Sequence, residues 1–169
     1  RAPQVNFYRA VQRGGAADIA GAVAMTFMGT RLDGMPKDRA NGLSAFFSRV
    51  SYKATSEWKE EIVLLNPAPV PATTAIVPDG TTVALPPEKD PRQVFADWLI
   101  TPDNPWFARA IANRVWAWIF GRGIVHEPDD LRPDNPPSIP ALLAVLEREI
   151  VVARFDLRHL YRLILNSRT

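Results

Sequence analysis

The stretch "NRVWAWIFGRGIVHEPDDLRPDNPPS" (Asn113–Ser138) joins a helical pattern to a crowded polar loop. Arg114, Trp118 and Arg122 follow one another at four-residue steps, which places them on one stripe of an α-helix. Glycines at 121 and 123 end that helix, because glycine adopts the left-handed conformation that a helix end requires. Acids, arginine and prolines then fill the loop, so the segment predicts a helix followed by a stiff, charged connection.

Two interpretations of this segment remain open. In the first, Arg114, Trp118 and Arg122 form an exposed cation–aromatic ledge that binds an acidic or sugar-like ligand. In the second, arginines on the flanking helices bind the loop acids, the tryptophans are buried, and Asn113 holds the loop backbone by hydrogen bonds. We favour the second interpretation, which predicts a closed scaffold stabilised by guanidinium–carboxylate contacts.

The chain after Lys89 carries repeated helix-start signals. Asp90-Pro91 and Asn104-Pro105 each combine an N-cap residue with a proline at the first helical position. Ser138 is expected to cap the helix that begins "IPALLAV", and Asp156 the helix "LRHLYRLIL". The C-terminal half therefore predicts four helices.

The chain before Lys89 predicts three helices and a small sheet. The helices are Ala2–Gln12, "AADIAGAVAMTFMGT" and "RANGLSAFFSRV". A Pro-Asp-Gly turn between "TTAIV" and "TTVAL" predicts a hairpin, with Glu61–Leu65 as a third strand. The fold class is mainly α, with a β-hairpin or three-strand insertion. We divide the chain into an N-terminal helical part (1–56), a proline-rich β insertion (57–89) and a C-terminal four-helix part (90–169), which packs with the N-terminal helices.

Composition limits the classes of function. The 169 residues carry a formal net charge of +2 and no lysine–arginine cluster, which argues against nucleic-acid binding. There is no cysteine, so disulfides, thiolate zinc and covalent haem attachment are excluded. The longest nearly uncharged apolar run is too short to span a bilayer, which takes about 20 residues.

The C-terminal half closely resembles a planctomycete-type domain of unknown function, which occurs in large secreted proteins beside cytochrome-c-like domains. The motifs that carry the resemblance are Asn104-Pro105, Asn113-Arg114, Trp116, Phe120-Gly121-Arg122-Gly123, Asp129-Asp130, Asn135-Pro136-Pro137-Ser138 and Asp156 through Ser167. The segments "IAGAVAMTFMGTRL" and "GLSAFFSRV" look like the companion domain of those proteins. The companion usually has a Cys-x-x-Cys-His-like stretch between these segments, where this chain has "DGMPKDRAN". The resemblance implies an extracytoplasmic bacterial protein in which the two domains act as a unit. The missing Cys-x-x-Cys-His-like stretch removes the element most suggestive of haem.

Catalytic candidates are few. Asp129 and Asp130 could act as acid and base, with His159 as a general base that one of them orients. The calcium-loop spacing is absent, and no serine lies in a nucleophile elbow. We therefore name no catalytic residue, no metal and no cofactor. The candidate binding residues are Asn113, Arg114, Trp118, Arg122, Asp129, Asp130, Arg132 and Arg162.

Three hypotheses of function follow. The first is a non-catalytic periplasmic or extracellular module that binds a protein partner in a larger assembly, or a glycan. The second is a hydrolase that uses Asp129 or Asp130 with His159. The third is a haem-free accessory subunit of an electron-transfer complex.

Overall fold

The computed structural model describes residues 3–12, 14–54, 56, 61–66 and 73–168. Within these residues the chain forms seven α-helices and four short strands, which confirms the predicted mainly-α class with a small β insertion. Two compact units are present: the first comprises Arg1–Ala22 and Leu32–Asp97, and the second Val23–Arg31 and Trp98–Thr169. None of the described helices is long and apolar enough to cross a membrane. Residues 57–60 and 67–72 of the predicted insertion lie outside the described residues.

The first unit begins with helices α1 (Pro3–Val11) and α2 (Ala16–Val23), followed after a loop by α3 (Lys37–Ala45). The predicted third helix was too long at its C-terminal end. Val50 does not continue α3 but begins strand β1 (Val50–Ala54), which pairs antiparallel with β2 (Glu61–Leu65). Pairing with β2 determines the conformation of this segment, and the helical spacing of its apolar residues does not predict that pairing.

The predicted hairpin is present as β3 (Thr73–Ile76) and β4 (Thr82–Leu85), so the predicted third strand belongs to a different sheet. Gly80 has a φ of +96°, and Asp79 accepts a hydrogen bond from the Thr81 N–H at 2.7 Å. Helix α3 packs very closely on this hairpin: a Cβ at Gly42 would lie 2.3 Å from the Ile76 carbonyl oxygen. Arg39 donates to the Pro78 carbonyl at 3.0 Å and holds the turn against the helix.

Helix α4 (Pro91–Leu99) begins at the predicted cap, where Asp90 accepts a hydrogen bond from the Arg92 N–H at 2.9 Å. The Arg92 guanidinium also binds the Asp90 carboxylate at 2.7 Å and donates to the Tyr8 hydroxyl of α1 at 3.1 Å. A local cap therefore also connects the first helix of this unit to the last.

The second unit is built on α5 (Phe107–Phe120), α6 (Pro140–Val152) and α7 (Leu157–Leu165). Asn104 accepts hydrogen bonds from the Trp106 and Phe107 N–H groups at 3.0 Å, and Asp156 accepts one from the Arg158 N–H at 2.9 Å. Both caps were predicted. The buried core of this unit comprises Ala108, Ala112, Val115, Ile124, Val125, Leu143, Leu146, Ile150, Leu160 and Ile164.

One predicted helix cap in the second unit was wrong, and one predicted helix has a mixed geometry. Ser138 does not cap α6; its hydroxyl and its N–H both donate to the Ile124 carbonyl at 2.8 Å. The predicted second helix changes geometry after Val23, because Ala24–Met28 form a π-helical segment that ends at Gly29, whose φ is +59°. The apolar spacing of this stretch predicts helicity but does not distinguish α from π hydrogen bonding.

Candidate functional site

The candidate site is the connection between α5 and α6, residues 121–139, called here the acidic loop. Its central contact is made by Asn113 of α5, whose side chain is fully buried. The Asn113 amide accepts a hydrogen bond from the Val125 N–H at 2.9 Å and donates to the Val125 carbonyl at 3.2 Å. It also approaches the Pro128 carbonyl at 3.4 Å. Buried backbone N–H and carbonyl groups need hydrogen-bond partners. Here the Asn113 side chain supplies both partners for Val125, as a neighbouring strand would in a sheet.

Gly123 allows this approach. A Cβ at position 123 would lie 2.3 Å from the Val125 carbonyl oxygen and 3.0 Å from both polar atoms of the Asn113 amide. The second glycine of Gly-Arg-Gly is therefore required for close packing, whereas the first, Gly121, ends α5 with a φ of +75°. The two glycines have different structural roles.

Two further side chains fix the second half of the acidic loop. Asn135 donates to the carbonyls of His126 at 2.7 Å and Asp130 at 2.9 Å. Ser138 closes the loop on the Ile124 carbonyl, as described above. Each of these contacts satisfies a loop carbonyl, so the backbone of the loop is held by amide and hydroxyl groups at several points along its length.

Arg114 connects the acidic loop to the π-helical segment. Its guanidinium forms an ion pair with Asp129, in which the Nε–Oδ1 distance is 3.1 Å and a second nitrogen lies closer. The same group donates to the Thr26 carbonyl at 2.6 Å and approaches the Met25 carbonyl at 3.4 Å. Arg114 therefore satisfies backbone carbonyls of the π segment that have lost their usual helical partners, as well as the Asp129 carboxylate.

Arg132 binds two further aspartates of the acidic loop. Its guanidinium binds Asp130 at 2.7 Å and Asp134 at 3.4 Å. The hydrogen bond with Asp130 is the main reason that the pKa of Arg132 is raised. We predicted that arginines of both flanking helices bind the loop acids. Only α5 supplies such an arginine, Arg114, and the second one, Arg132, belongs to the loop itself.

Trp118 and Arg122 remain at the surface. Trp118 is 61% exposed, so the expectation that both tryptophans are buried was wrong for this residue. Trp116 is partly buried and stacks on Phe120 with ring centroids 4.3 Å apart. Helical spacing puts Trp118 on the stripe of Arg114, but the guanidinium of Arg114 is directed to Asp129 and the π segment.

His159 has a different carboxylate neighbour from the one proposed. Its Nε2 lies 3.4 Å from the Oε2 atom of Glu149 on α6, while Asp129 and Asp130 are bound by arginines. Sequence reasoning missed Glu149 because ten residues and a change of helix separate it from His159. Arg162 is exposed on α7 and has no hydrogen-bond partner for its guanidinium in the described part of the chain. No cluster of three or more potential metal ligands occurs among the described residues.

Comparison with known proteins gives a family-model match to part of the chain. Residues 91–169 match the family model PSD1, described as "Protein of unknown function (DUF1553)". No curated protein and no solved structure matches the chain. The C-terminal half of the chain is therefore similar to a domain of unknown function, which confirms that part of the resemblance predicted from its motifs.

Proposed function

We propose that the protein is a non-catalytic, extracytoplasmic module that binds a protein partner within a larger assembly. The observation that carries the proposal is the contrast between the aspartates of the acidic loop and the apolar side chains at the surface of the second unit. The loop aspartates are bound by Arg114 and Arg132, whereas large apolar side chains remain exposed. Trp118 is 61% exposed and Val152 72% exposed. Exposed tryptophan favours an interaction surface, because aromatic side chains are enriched at protein–protein interfaces.

The hydrolase hypothesis receives no support from this geometry. A general base needs its orienting carboxylate and its substrate within hydrogen-bond reach. His159 lies beside Glu149 instead of the loop aspartates, and the Asp129 carboxylate is held by the Arg114 guanidinium. Neither acid is left unpaired beside the histidine, so binding is the better-supported class of function.

The test is site-resolved crosslinking in native cells. A photo-crosslinking amino acid replaces Trp118 or Val152, and the exposed, polar Asp103 is the control position. We expect positions 118 and 152 to give an adduct with the same partner, and position 103 to give none. Equal labelling from all three positions, or labelling from none, would overturn the proposal.

The extracytoplasmic location rests on the resemblance to a planctomycete-type domain of secreted proteins and to its companion domain. Protease accessibility in intact and permeabilised cells tests it. We expect added protease to digest the protein before the inner membrane is permeabilised. Protection of the protein until that membrane is permeabilised contradicts the location.

The same resemblance supports an accessory role beside a haem protein, because related domains occur with cytochrome-c-like domains and this chain lacks cysteine. The absorbance spectrum of the crosslinked partner tests this role. A partner with a Soret band supports an electron-transfer assembly, whereas a partner without one leaves binding as the function and removes the electron-transfer role.

A further inference from the structure

Helix α7 presents a distinct stripe on its outer side. Arg158, Arg162 and Leu165 follow at i, i+4 and i+7, so they share one face of the helix. Leu160 and Ile164 occupy the opposite side and are buried in the core of the second unit. Leu165 is 65% exposed, and both arginines are exposed. The apolar side of α7 is thus used for folding, and its outer stripe combines two guanidinium groups with one free leucine.

The arginines of this stripe differ from three arginines of the second unit whose guanidinium groups bind carboxylates. Arg109 binds Glu147 at 2.7 Å, and Arg114 and Arg132 bind the loop aspartates. Among the described residues, the guanidinium groups of Arg158 and Arg162 have no hydrogen-bond or ion-pair partner. Helix α7 contains no acid, and the Asp156 carboxylate before it accepts its hydrogen bond from a backbone N–H. The stripe therefore carries positive charge that the described chain does not neutralise.

We propose that this stripe, Arg158–Arg162–Leu165, is the docking face for an acidic surface of a partner protein. Two guanidinium groups four residues apart can each bind a carboxylate by paired hydrogen bonds, and Leu165 supplies an apolar contact at the C-terminal end of the stripe. Arginine at both positions favours carboxylate recognition, because its planar fork matches that geometry better than lysine does. The inference rests on the proposed function and specifies the chemistry of the partner.

A protein surface fits the stripe better than a lipid surface does. A helix that lies on a membrane inserts a continuous apolar face among the acyl chains. In α7 that face is packed in the core through Leu160 and Ile164. The exposed leucines of the helix, Leu157, Leu163 and Leu165, point in different directions around its axis and form no continuous apolar face. Charge complementarity with carboxylates is therefore the main attraction that the stripe offers.

The experiment measures binding of the full chain to poly-L-glutamate, a minimal carboxylate-rich polypeptide, beside vesicles of phosphatidylglycerol and phosphatidylcholine. The variant Arg158→Gln/Arg162→Gln removes both guanidinium groups. The matched control Arg31→Gln/Lys37→Gln removes the same charge from two exposed positions elsewhere. Because all four side chains are exposed, we expect unfolding midpoints to change by less than about 2 °C.

We expect the α7 double variant to lose about tenfold or more in affinity for poly-L-glutamate, and the control to lose less than about threefold. Arg158→Lys/Arg162→Lys should lose roughly threefold although it keeps the charge, because lysine lacks the fork. Leu165→Ser should also weaken binding. Equal losses in the two glutamine variants, or tighter binding to the anionic vesicles than to poly-L-glutamate, would overturn the docking face.

This result is separable from the proposed function. If crosslinks from positions 118 and 152 form and are unaffected by Arg158→Gln/Arg162→Gln, the module binds a partner but the α7 stripe is not the docking face. If no crosslink forms while poly-L-glutamate binding still depends on the two arginines, the proposed function fails on its own experiment.

Discussion

Asn113 binds both the N–H and the carbonyl of Val125 with one buried side-chain amide, at 2.9 and 3.2 Å. The contact joins the middle of α5 to the first part of the acidic loop, twelve residues later in the sequence. Because both partners are buried, water cannot replace the amide if it is removed. The conformation of the loop therefore depends on a residue of the preceding helix.

Asn113→Ala should destabilise the second unit strongly. The substitution leaves the Val125 N–H and carbonyl without partners, and unsatisfied buried groups cost about 1–3 kcal/mol each. We expect a loss of about 3 kcal/mol in the free energy of unfolding, measured by urea denaturation. The control is Asn166→Ala, where an exposed amide donates to one carbonyl, that of Arg162. Similar losses in the two variants would show that the buried amide has no special role.

Gly123→Ala and Gly121→Ala separate close packing from backbone conformation. A Cβ at 123 meets the Val125 carbonyl oxygen at 2.3 Å, while a Cβ at 121 meets nothing within 4 Å but requires a φ of +75°. We expect Gly121→Ala to cost about 1–2 kcal/mol, the usual penalty of the left-handed conformation. Gly123→Ala should cost more and also displace the loop, since overpacking alone costs about 1–3 kcal/mol. Denaturation midpoints and the amide resonance of Val125 report the two effects, and an unshifted Val125 resonance in Gly123→Ala contradicts the expectation.

Arg114 should matter more to stability than the aspartate it binds. Asp129 is largely exposed, and exposed ion pairs contribute about 0–1 kcal/mol. Asp129→Asn is therefore expected to cost less than about 1 kcal/mol. Arg114→Ala also removes the donor to the Thr26 and Met25 carbonyls, so we expect about 2 kcal/mol or more. A double-mutant cycle measures the pair separately; a coupling energy as large as the whole effect of Arg114→Ala would assign the role of Arg114 to the ion pair.

Local signals were sufficient to predict most of the fold. Asp90, Asn104 and Asp156 each cap a helix by a side chain that reaches one turn along the same chain, and the Pro-Asp-Gly turn specifies its hairpin by short-range conformation. The sequence also suggested, from the stripe of Arg109, Asn113 and Trp116, that the Asn113 side chain holds the loop backbone, and the contact with Val125 is present.

Contacts between residues that are distant in the sequence could not be predicted in the same way. Strand β1 depends on antiparallel pairing with β2, in which Val50 lies opposite Leu65. Likewise, the carboxylate beside His159 belongs to Glu149 on another helix. Ser138 is of a residue type that favours helix caps, but its hydroxyl donates to the Ile124 carbonyl at 2.8 Å and α6 has no side-chain cap. In each case a contact between distant segments outweighed a local preference.

Acid should remove the contribution of Asp90 to the stability of the first unit. The Arg92 guanidinium holds the pKa of Asp90 below its usual value, chiefly through the side-chain hydrogen bond. A carboxyl with a lowered folded-state pKa stabilises the fold above its unfolded-state pKa, and this contribution disappears as the pH falls through the folded-state pKa. Asp90→Asn keeps a capping side chain but has no charge, so wild type should be more stable than the variant at pH 6. We expect the difference to shrink below about pH 4; a difference that is constant from pH 6 to about 2 contradicts this.

Arg154→Gly should be neutral or stabilising, although it removes a large side chain from the turn between α6 and α7. Arg154 and Phe155 have φ values of +52° and +61°, which is costly for residues other than glycine. Glycine adopts this conformation without steric cost, but its greater freedom in the unfolded chain offsets part of the gain. We therefore expect the free energy of unfolding to rise by between zero and about 1 kcal/mol. Phe155→Gly has the same backbone benefit but loses the ring that packs on Phe107 with centroids 5.1 Å apart, so it should destabilise by about 2–4 kcal/mol. The two variants are compared by thermal and urea unfolding. If Arg154→Gly destabilises as much as Phe155→Gly does, the Arg154 side chain makes a contribution that its exposed position in the structure does not explain.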